Sequence, residues 1–518
     1  MTTGFGLTPN TAPTGLDPER DLPSGFFRSL LELHREFTPR QRALAEARRG
    51  ALARAHRGQR PNHLPPSDAT TGGWRIDLPS WCTDQRNQMT GPADDAELTV
   101  KMLNSGAPGV MIDLEDSMAN DWGTLLRGHR NAVDALHGVL SYHDAKRGAR
   151  VGIKPSSTVI WTRVRGLHLS QAGVVRDELV SASLFDLALL VHNLEPGRLR
   201  HPLAIYVPKS ESAEEALWWR DVFQRLARLK GLPADHIKCM ALVEAHPMAF
   251  QMEEFLFHLR DHILGLNLGR WDYMASLIHF NLPDPEWVLP DRNTIPHDVA
   301  FFQRLRVLIP EICHKRGILA IGGMTALFPS RTDAELNARA LSVLEKDKRN
   351  EASALMDGAW TGHPDQNAIA VAQFPSPNQG FRRPSDVDRY PDLRPVPAGV
   401  GAHTEAGSRA AARVTIQYRA GVLAGHGASL IEGYMEDLAT DRIYRLMLAQ
   451  RVLHRDRVEI VDQSGRPVPH TPAYLTRLYD EELARLLERS DDPAERERLR
   501  QARLESEAMI VSGRHDPV

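Results

Sequence analysis

The sequence predicts an α/β protein built on a (β/α)8 barrel, with helices ahead of the barrel and a helical domain after it. Two observations carry that expectation. Short apolar runs alternate with amphipathic helical stretches over about 280 residues, the pattern and length of a parallel barrel. Each run also ends in polar or glycine-rich residues. Charged side chains therefore collect at the C-terminal ends of the predicted strands, the face on which a barrel forms its active site.

The first 20 residues, rich in Thr, Pro and Gly, read as an arm ahead of ordered structure. From Gly25 to His56, FFRSLLELHREF and RQRALAEARRGALARAH place apolar residues at helical spacing among charges, predicting two surface helices broken near Pro39. After the Pro/Gly-rich RPNHLPPSDATTGGW, the predicted strands are GVMIDLED, ARVGIKP, VIWTRVRG, LAIYVPKSES, IKCMALVEA, HILGLNLG and GILAIGGM. Helices such as SAEEALWWRDVFQRLARL and PMAFQMEEFLFHLRDH lie between them. Beyond about residue 375 a Pro-rich stretch ends the pattern. From Ala402 onward RVTIQYRAGVLAG, MEDLATDRIYRLMLAQRVL and TPAYLTRLYDEELARLLERS predict a separate helical domain. The expected divisions are 1–75, 76–385 and 386–518. The charged stretch from 490 to 518 has no assigned role, and no internal repeat is present.

With 518 residues and 42% hydrophobic content the chain can bury a sizeable core. Lys plus Arg (63) and Asp plus Glu (66) nearly cancel, so no basic field is available to hold nucleic acid or an anionic membrane. Cys82, Cys239 and Cys313 are far apart and lack CxxC spacing, which argues against disulfides and thiolate metal sites and fits a reducing compartment. The N-terminus shows no cationic segment followed by an apolar run, no window reaches the roughly 18 apolar residues of a membrane span, and SGRHDPV is not a peroxisomal tripeptide. The expectation is a cytoplasmic protein.

Glu244 follows CMALV, and Asp272 follows HILGLNLGRW between Trp271 and Tyr273. A carboxylate beside two rings is poorly hydrated and needs a cation, donors or a pKa shift. Two acids on successive strand ends suit a hard divalent ion, because Mg2+ takes one or two protein carboxylates and fills its octahedron with water and substrate oxygens. The competing reading pairs either acid with a nearby arginine such as Arg270, the commoner arrangement for a single carboxylate.

In DLEDS, Asp113 and Glu115 would share one strand face, suited to contacts with metal-bound water, while Asp116 would point away and cap the next helix. TRVRGLH puts Arg163 and Arg165 on one face of a strand ending at Gly166. Either arginine could bind a carboxylate or stabilise an oxyanion, or pair with DLEDS across the barrel mouth. HLRDH lacks the glutamate of a zinc helix and reads as a helix end, and the glycines of GLNLG and IGGM lack dinucleotide or P-loop spacing. YMEDLATDRI opens a helix with Glu436 and Asp437. Acids are ordinary there, unless the helix lies across the barrel mouth.

The ordered set GVMIDLEDS, RVRGLHL, YVPKSES, ALVEAHPMAFQMEEFLFHLRDHILGLNLGRWDY, CHKRGILAIGGMTA, MDGAWTGHP and MEDLATDRI resembles the malate synthases, in particular their shorter glyoxylate-cycle form, from about Pro79 to about Val452. The resemblance implies a TIM barrel with an N-terminal helical clasp and a C-terminal helical plug, and a Mg2+-dependent condensation of acetyl-CoA with glyoxylate followed by hydrolysis to malate and CoA. Position by position it implies Glu244 and Asp272 as metal ligands, Arg163 as the arginine that polarises the aldehyde, Asp113 and Glu115 near the metal-bound waters, and Asp437 as the general base. Arg165 stays a further substrate candidate, no CoA-contacting residue is assigned, and the oligomeric state is left open. Around the plug the chain departs from the family: Ala428 stands where relatives often have cysteine, and Tyr444-Arg445-Leu446 replaces a Ser-Arg pattern. The choice of acyl donor therefore stays open. A related Mg2+-dependent acyl-CoA lyase or condensing enzyme, or a non-catalytic homologue, are the competing readings.

Overall fold

Eight parallel strands form a ring in the computed structural model, which describes residues 13–296, 298–388, 391 and 400–511. They are β1 (Asn87–Pro92), β2 (Gly109–Asp113), β3 (Val159–Arg163), β4 (Ala204–Val207), β5 (Lys238–Val243), β6 (Ile263–Leu268), β7 (Leu319–Ile321) and β8 (Ala359–Thr361). Each pairs with its neighbour in sequence from β1 to β7, and β8 pairs with β1. A parallel bridge from Ile321 to Gly358 closes β7 toward β8, with the Gly322 amide donating to the Gly358 carbonyl at 2.7 Å. Helices follow each strand and cover the outside, among them Ala96–Leu103, Trp122–Leu136, Ala182–Asn193, Ala213–Leu229 and Arg270–Phe280. The parallel strands are thus buried on both faces and read as apolar runs.

Six of the seven predicted strands are barrel strands. The exception is ARVGIKP, whose Ala149–Gly152 forms a largely exposed antiparallel hairpin with Ser141–Asp144 outside the barrel. Conversely, β1 (NQMTGP) and β8 (AWT) were not expected as strands, because one is polar and the other is three residues long. In the closed barrel those polar groups have partners on both faces: Asn87 donates to Thr361 Oγ1 at 3.0 Å and to Asn367 Oδ1 of the outer helix Pro364–Gln373 at 2.7 Å, and the Trp360 indole donates to Gln88 at 2.9 Å. Trp161, Tyr206, Met240 and Leu242 fill the interior beneath the mouth.

The two expected clasp helices are one, Phe26–Ala55, running through Pro39. Phe26, Leu30, Leu33 and Phe37 form a continuous buried stripe, and the Trp218 indole takes the Phe37 carbonyl at 3.0 Å. That packing outweighs the roughly 3 kcal/mol that an internal proline costs. Of the arm, residues 1–12 lie outside the described residues, while Pro18–Asp21 is already helical and Asp21 accepts from the Trp122 indole at 2.8 Å.

After the barrel come the helices Glu405–Leu423, Leu438–Leu453, Pro472–Leu487 and Pro493–Val511, with a hairpin of Ser429–Ile431 and Tyr434–Glu436. The last helix accounts for most of the unassigned charged tail: Leu499, Ala502, Ser506 and Ile510 are buried at helical spacing against the domain. The hairpin is tied to the barrel by Phe328 N–H to Gly433 O and Met435 N–H to Ala326 O, both 2.9 Å. Helix Leu438–Leu453 packs on Arg270–Phe280, so this domain lies over the C-terminal ends of the strands. Among the described residues no helix is long and apolar enough to cross a membrane, and the three cysteines are buried and unpaired.

Candidate active site

A cavity of about 350 Å3 opens at the C-terminal ends of the strands, walled by Asp113, Arg163, Glu244 and Asp272 from the barrel and by Asp437 from the C-terminal domain. Trp271, Trp360, Met324, Phe328 and Met435 supply apolar surface, the usual composition of a small-molecule site.

Asp113 and Arg163 end adjacent strands and are register partners, so their side chains meet. Arg163 donates from Nε and Nη2 to the two Asp113 oxygens at 2.6 Å each. Asp113 also accepts the Glu115 and Ser117 amides at 2.9 Å and the Ser117 hydroxyl at 2.6 Å. Burial works to raise the Asp113 carboxyl, but the Arg163 charge and hydrogen bonds prevail and hold it below the usual carboxylate range. The pairing across the mouth is therefore real for Arg163. Its third nitrogen, Nη1, remains 3.5 Å from Glu115 and 3.7 Å from Asp116, beyond good hydrogen-bonding range, and the guanidinium carbon lies 5.8 Å from the centre of the Trp360 ring.

Arg165 does something else. The strand stops at Arg163 rather than Gly166, so the two arginines do not share a face. Arg165 turns outward onto Asp186 (2.7 Å), Asn120 and Gln171 (3.0 Å each), a buried structural network without access to the cavity. For the same reason Asp116 does not point away. The chain bends after Asp113, and Asp116 is buried on the Lys209 ammonium, while Asp121 caps the following helix. Glu115 accepts Lys209 Nζ at 3.0 Å and the Gly166 amide at 3.1 Å. Burial raises it well above its ordinary value despite the lysine.

Glu244 follows β5 and accepts the Lys209 amide at 2.6 Å. Its carboxyl lies against Gly269, where a Cβ would fall 2.7 Å from Glu244 Oε2, so the glycine of GLNLG is needed to admit it. Burial, reinforced by the Asp272 charge and opposed by Lys209, pushes Glu244 up to about 7. Asp272 sits in the first turn of helix Arg270–Phe280 rather than on the strand end, where the helix dipole favours an anion. Its cation is Arg442 of the C-terminal domain at 2.9 Å, with Lys209 at 3.5 Å. Arg270, the partner named in the competing reading, pairs instead with Asp347 at 2.7 Å.

Asp437 is the N-cap of helix Leu438–Leu453, accepting the Ala439 amide at 3.0 Å, and is half-buried at the cavity wall. Burial and the neighbouring charges of Asp116 and Asp272 outweigh Arg163 and Lys209 and push it up to about 7, in the range a general base needs near neutrality. The helix thus does cross the barrel mouth. Glu436, the preceding acid, is taken up by Arg292 at 2.8 Å.

Lys209, Asp116 and Arg442 are the site residues that sequence reasoning did not select. YVPKSES had placed Lys209 at a strand end, which was the available signal. Nothing local indicated that Arg442 reaches Asp272. Among the described residues no three His, Cys, Asp or Glu side chains are arranged around one metal position. A Mg2+ site needs fewer, and two carboxylates at one cavity wall, with the Asp272 charge helping to raise the Glu244 carboxyl, fit that ion.

A barrel mouth that combines arginine and lysine cations with carboxylates, one of them delivered from beyond the barrel, has the make-up of an enzyme's active site. Family models for "Malate synthase, TIM barrel domain" and "Malate synthase, C-terminal" match residues 159–389 and 402–510. The chain is 36% identical over 485 residues to malate synthase A of Escherichia coli strain K12 (91% of this chain, 89% of the relative). It is 37% identical over 450 residues to the malate synthase of Myxococcus xanthus (85% and 82%) and 35% identical over 471 residues to that of Arabidopsis thaliana (88% and 83%). The chain belongs to the malate synthase family and is an acyltransferase.

Proposed function

We propose that the cavity carries out the condensation of acetyl-CoA with glyoxylate and the hydrolysis of the product thioester to malate and CoA, with Glu244 and Asp272 holding Mg2+, Arg163 and Asp437 acting on the substrates, and Asp113 and Glu115 behind them. The observation that carries this reading is that Asp437, at the N-terminus of helix Leu438–Leu453, lines one cavity with Arg163, Glu244 and Asp272 of the barrel.

Bound Mg2+ would act as a Lewis acid on the aldehyde oxygen of glyoxylate. The acetyl methyl group is a weak carbon acid, and Asp437, raised to about 7, is a base of suitable strength held by its own helix N-terminus. Arg163 is oriented by Asp113 through Nε and Nη2, which leaves Nη1 to meet the charge that grows on oxygen as the new carbon–carbon bond forms. Lys209 offsets Glu115, Asp116 and Asp272, so the site can hold several acids and still accept an anionic substrate. Hydrolysis of the thioester then makes the sequence effectively irreversible. The reading places the enzyme in the cytoplasm, a reducing compartment in which its three free cysteines would stay reduced.

Ala428, one of the positions at which the plug departs from family habit, lines the cavity and so bears on the acyl donor, whereas Tyr444, Arg445 and Leu446 are not among its lining residues. The test is CoA thiol release with acetyl-CoA and glyoxylate, with and without Mg2+, beside propionyl-CoA and pyruvate. Metal-dependent release with the first pair and weak response to the others is expected. Release only with another pair would reassign the substrate, and silence with all would remove the catalytic reading.

A further inference from the structure

Lys209 is held at φ 47°, the left-handed region, and is the one non-glycine residue of the site in that region among the described residues. Such a conformation costs a side-chain-bearing residue about 1–3 kcal/mol and persists only where its surroundings over-determine it. Three sets of contacts hold it. The amide donates to Glu244 at 2.6 Å, the ammonium lies among Glu115, Asp116 and Asp272, and the carbonyl accepts Arg48 Nη2 at 2.8 Å.

The third contact comes from outside the barrel. Arg48 belongs to the clasp helix Phe26–Ala55, and its guanidinium is seated on buried Glu215 of helix Ala213–Leu229 through Nε at 2.7 Å and Nη2 at 2.6 Å. Glu215 in turn accepts the Glu211 amide at 3.0 Å. Both ends of the 209–211 turn are therefore fastened to one Arg48–Glu215 unit. A guanidinium can do this because its rigid fork presents several donors at fixed angles, which an ammonium cannot reproduce. A salt bridge that merely joined clasp to barrel would need Glu215 alone and would have no reason to engage the carbonyl of the strained residue.

We propose that Arg48 is a positioning residue for the reaction. By holding the Lys209 carbonyl it keeps Lys209 left-handed, which sets the amide on Glu244 and the ammonium among the three carboxylates. Without that hold the peptide relaxes toward ordinary backbone angles and withdraws both donors together. The clasp then has a catalytic consequence beyond covering apolar surface. This inference rests on the assignment of Glu244 and Asp272 to the metal made above.

The experiment uses the full chain and four variants: Arg48→Gln, Arg48→Lys, Lys209→Ala and the Arg48→Gln/Lys209→Ala double. Melting temperature, kcat, both KM values, and Mg2+ titration followed by the fluorescence of Trp271 and Trp360, which line the cavity, are recorded. Arg48→Gln is expected to lower kcat at least about tenfold with KM for acetyl-CoA within about threefold, and to move the Mg2+ midpoint in the same direction as Lys209→Ala. In the Lys209→Ala background it should add less than about a twofold further loss, because residues acting through one another are not additive. Arg48→Lys, which keeps the charge beside Glu215, should melt like the parent and still lose kcat. Should Arg48→Gln fail to fold, Arg48→Lys carries the same comparison. Independent, multiplying effects of Arg48 and Lys209, or variants that lower melting temperature alone, would overturn the proposal. Failure of the metal assignment is read separately, as an unchanged Mg2+ titration in Asp272→Ala.

Discussion

Replacing Asp437 with asparagine separates the two things that this residue does. As an N-cap its Oδ1 accepts the Ala439 amide at 3.0 Å, a bond that asparagine reproduces, whereas alanine would forfeit about 0.5–2 kcal/mol of stability. In its proposed role as the base its loss is costly, because removing a positioned general base typically reduces rate about 10²–10⁴-fold, or about 3–5 kcal/mol of barrier. Removing its charge also relieves Asp116 and Asp272, the two carboxylates that repel it, so substrate affinity should hold steady or rise slightly. Asp437→Asn is therefore expected to melt within a degree or two of the parent and to bind Mg2+ and glyoxylate normally by calorimetry, while CoA release falls by at least about a hundredfold. Washout of acetyl-CoA methyl hydrogens into D2O should stop as well. A loss of glyoxylate affinity matching the loss of turnover, or a kcat within tenfold of the parent, would refute the assignment of the base.

With Asp437 raised to about 7, kcat/KM should fall about tenfold per pH unit below that value as the base takes up its proton, and a flat profile from pH 5.5 to 8 would exclude it. Folded Glu244 keeps its proton to about 7 but the unfolded chain releases it in the ordinary carboxylate range, so its contribution to stability is full below that range and is lost as pH rises through 7. Metal-free Glu244→Gln should accordingly melt above the parent at pH 8, with the gap closing toward pH 5; an equal gap at both pH values would contradict the burial argument. Asp272→Ala deprives Arg442 and Lys209 of a shared anion and should weaken Mg2+-dependent glyoxylate binding by at least about tenfold, and normal binding would return Asp272 to a purely structural ion pair. Arg165→Met should lower stability by about 3 kcal/mol, the low end for a broken buried pair because His129 stays 3.1 Å from Asp186, while KM values of the folded enzyme stay unchanged.

The barrel, and the positions of Glu244 and Asp272 near its mouth, were legible in the chain because they depend on local properties, whereas Asp437 was pointed to by the family resemblance alone. Apolar periodicity marks most strands, and in a parallel barrel the residue after a strand necessarily lies on the functional face. Where the local signal was weak the reading slipped. NQMTGP hides a strand behind polar side chains that only the closed barrel satisfies, and the stripe from Phe26 to Phe37 carries one helix through a proline that would break an isolated one. The pairings lay beyond sequence altogether. Arg163 meets Asp113 because two strands align in register, Arg165 turns away because the strand stops three residues early, and Asp272 finds Arg442 across 170 residues of chain. The raised carboxyls of Glu244 and Asp437 belong to the same category, since burial and the summed field of neighbouring charges exist only once distant segments are packed together. Composition and spacing could therefore say which residue types face the cavity, while the folded structure alone decided which of them hold one another and which remain for the substrate.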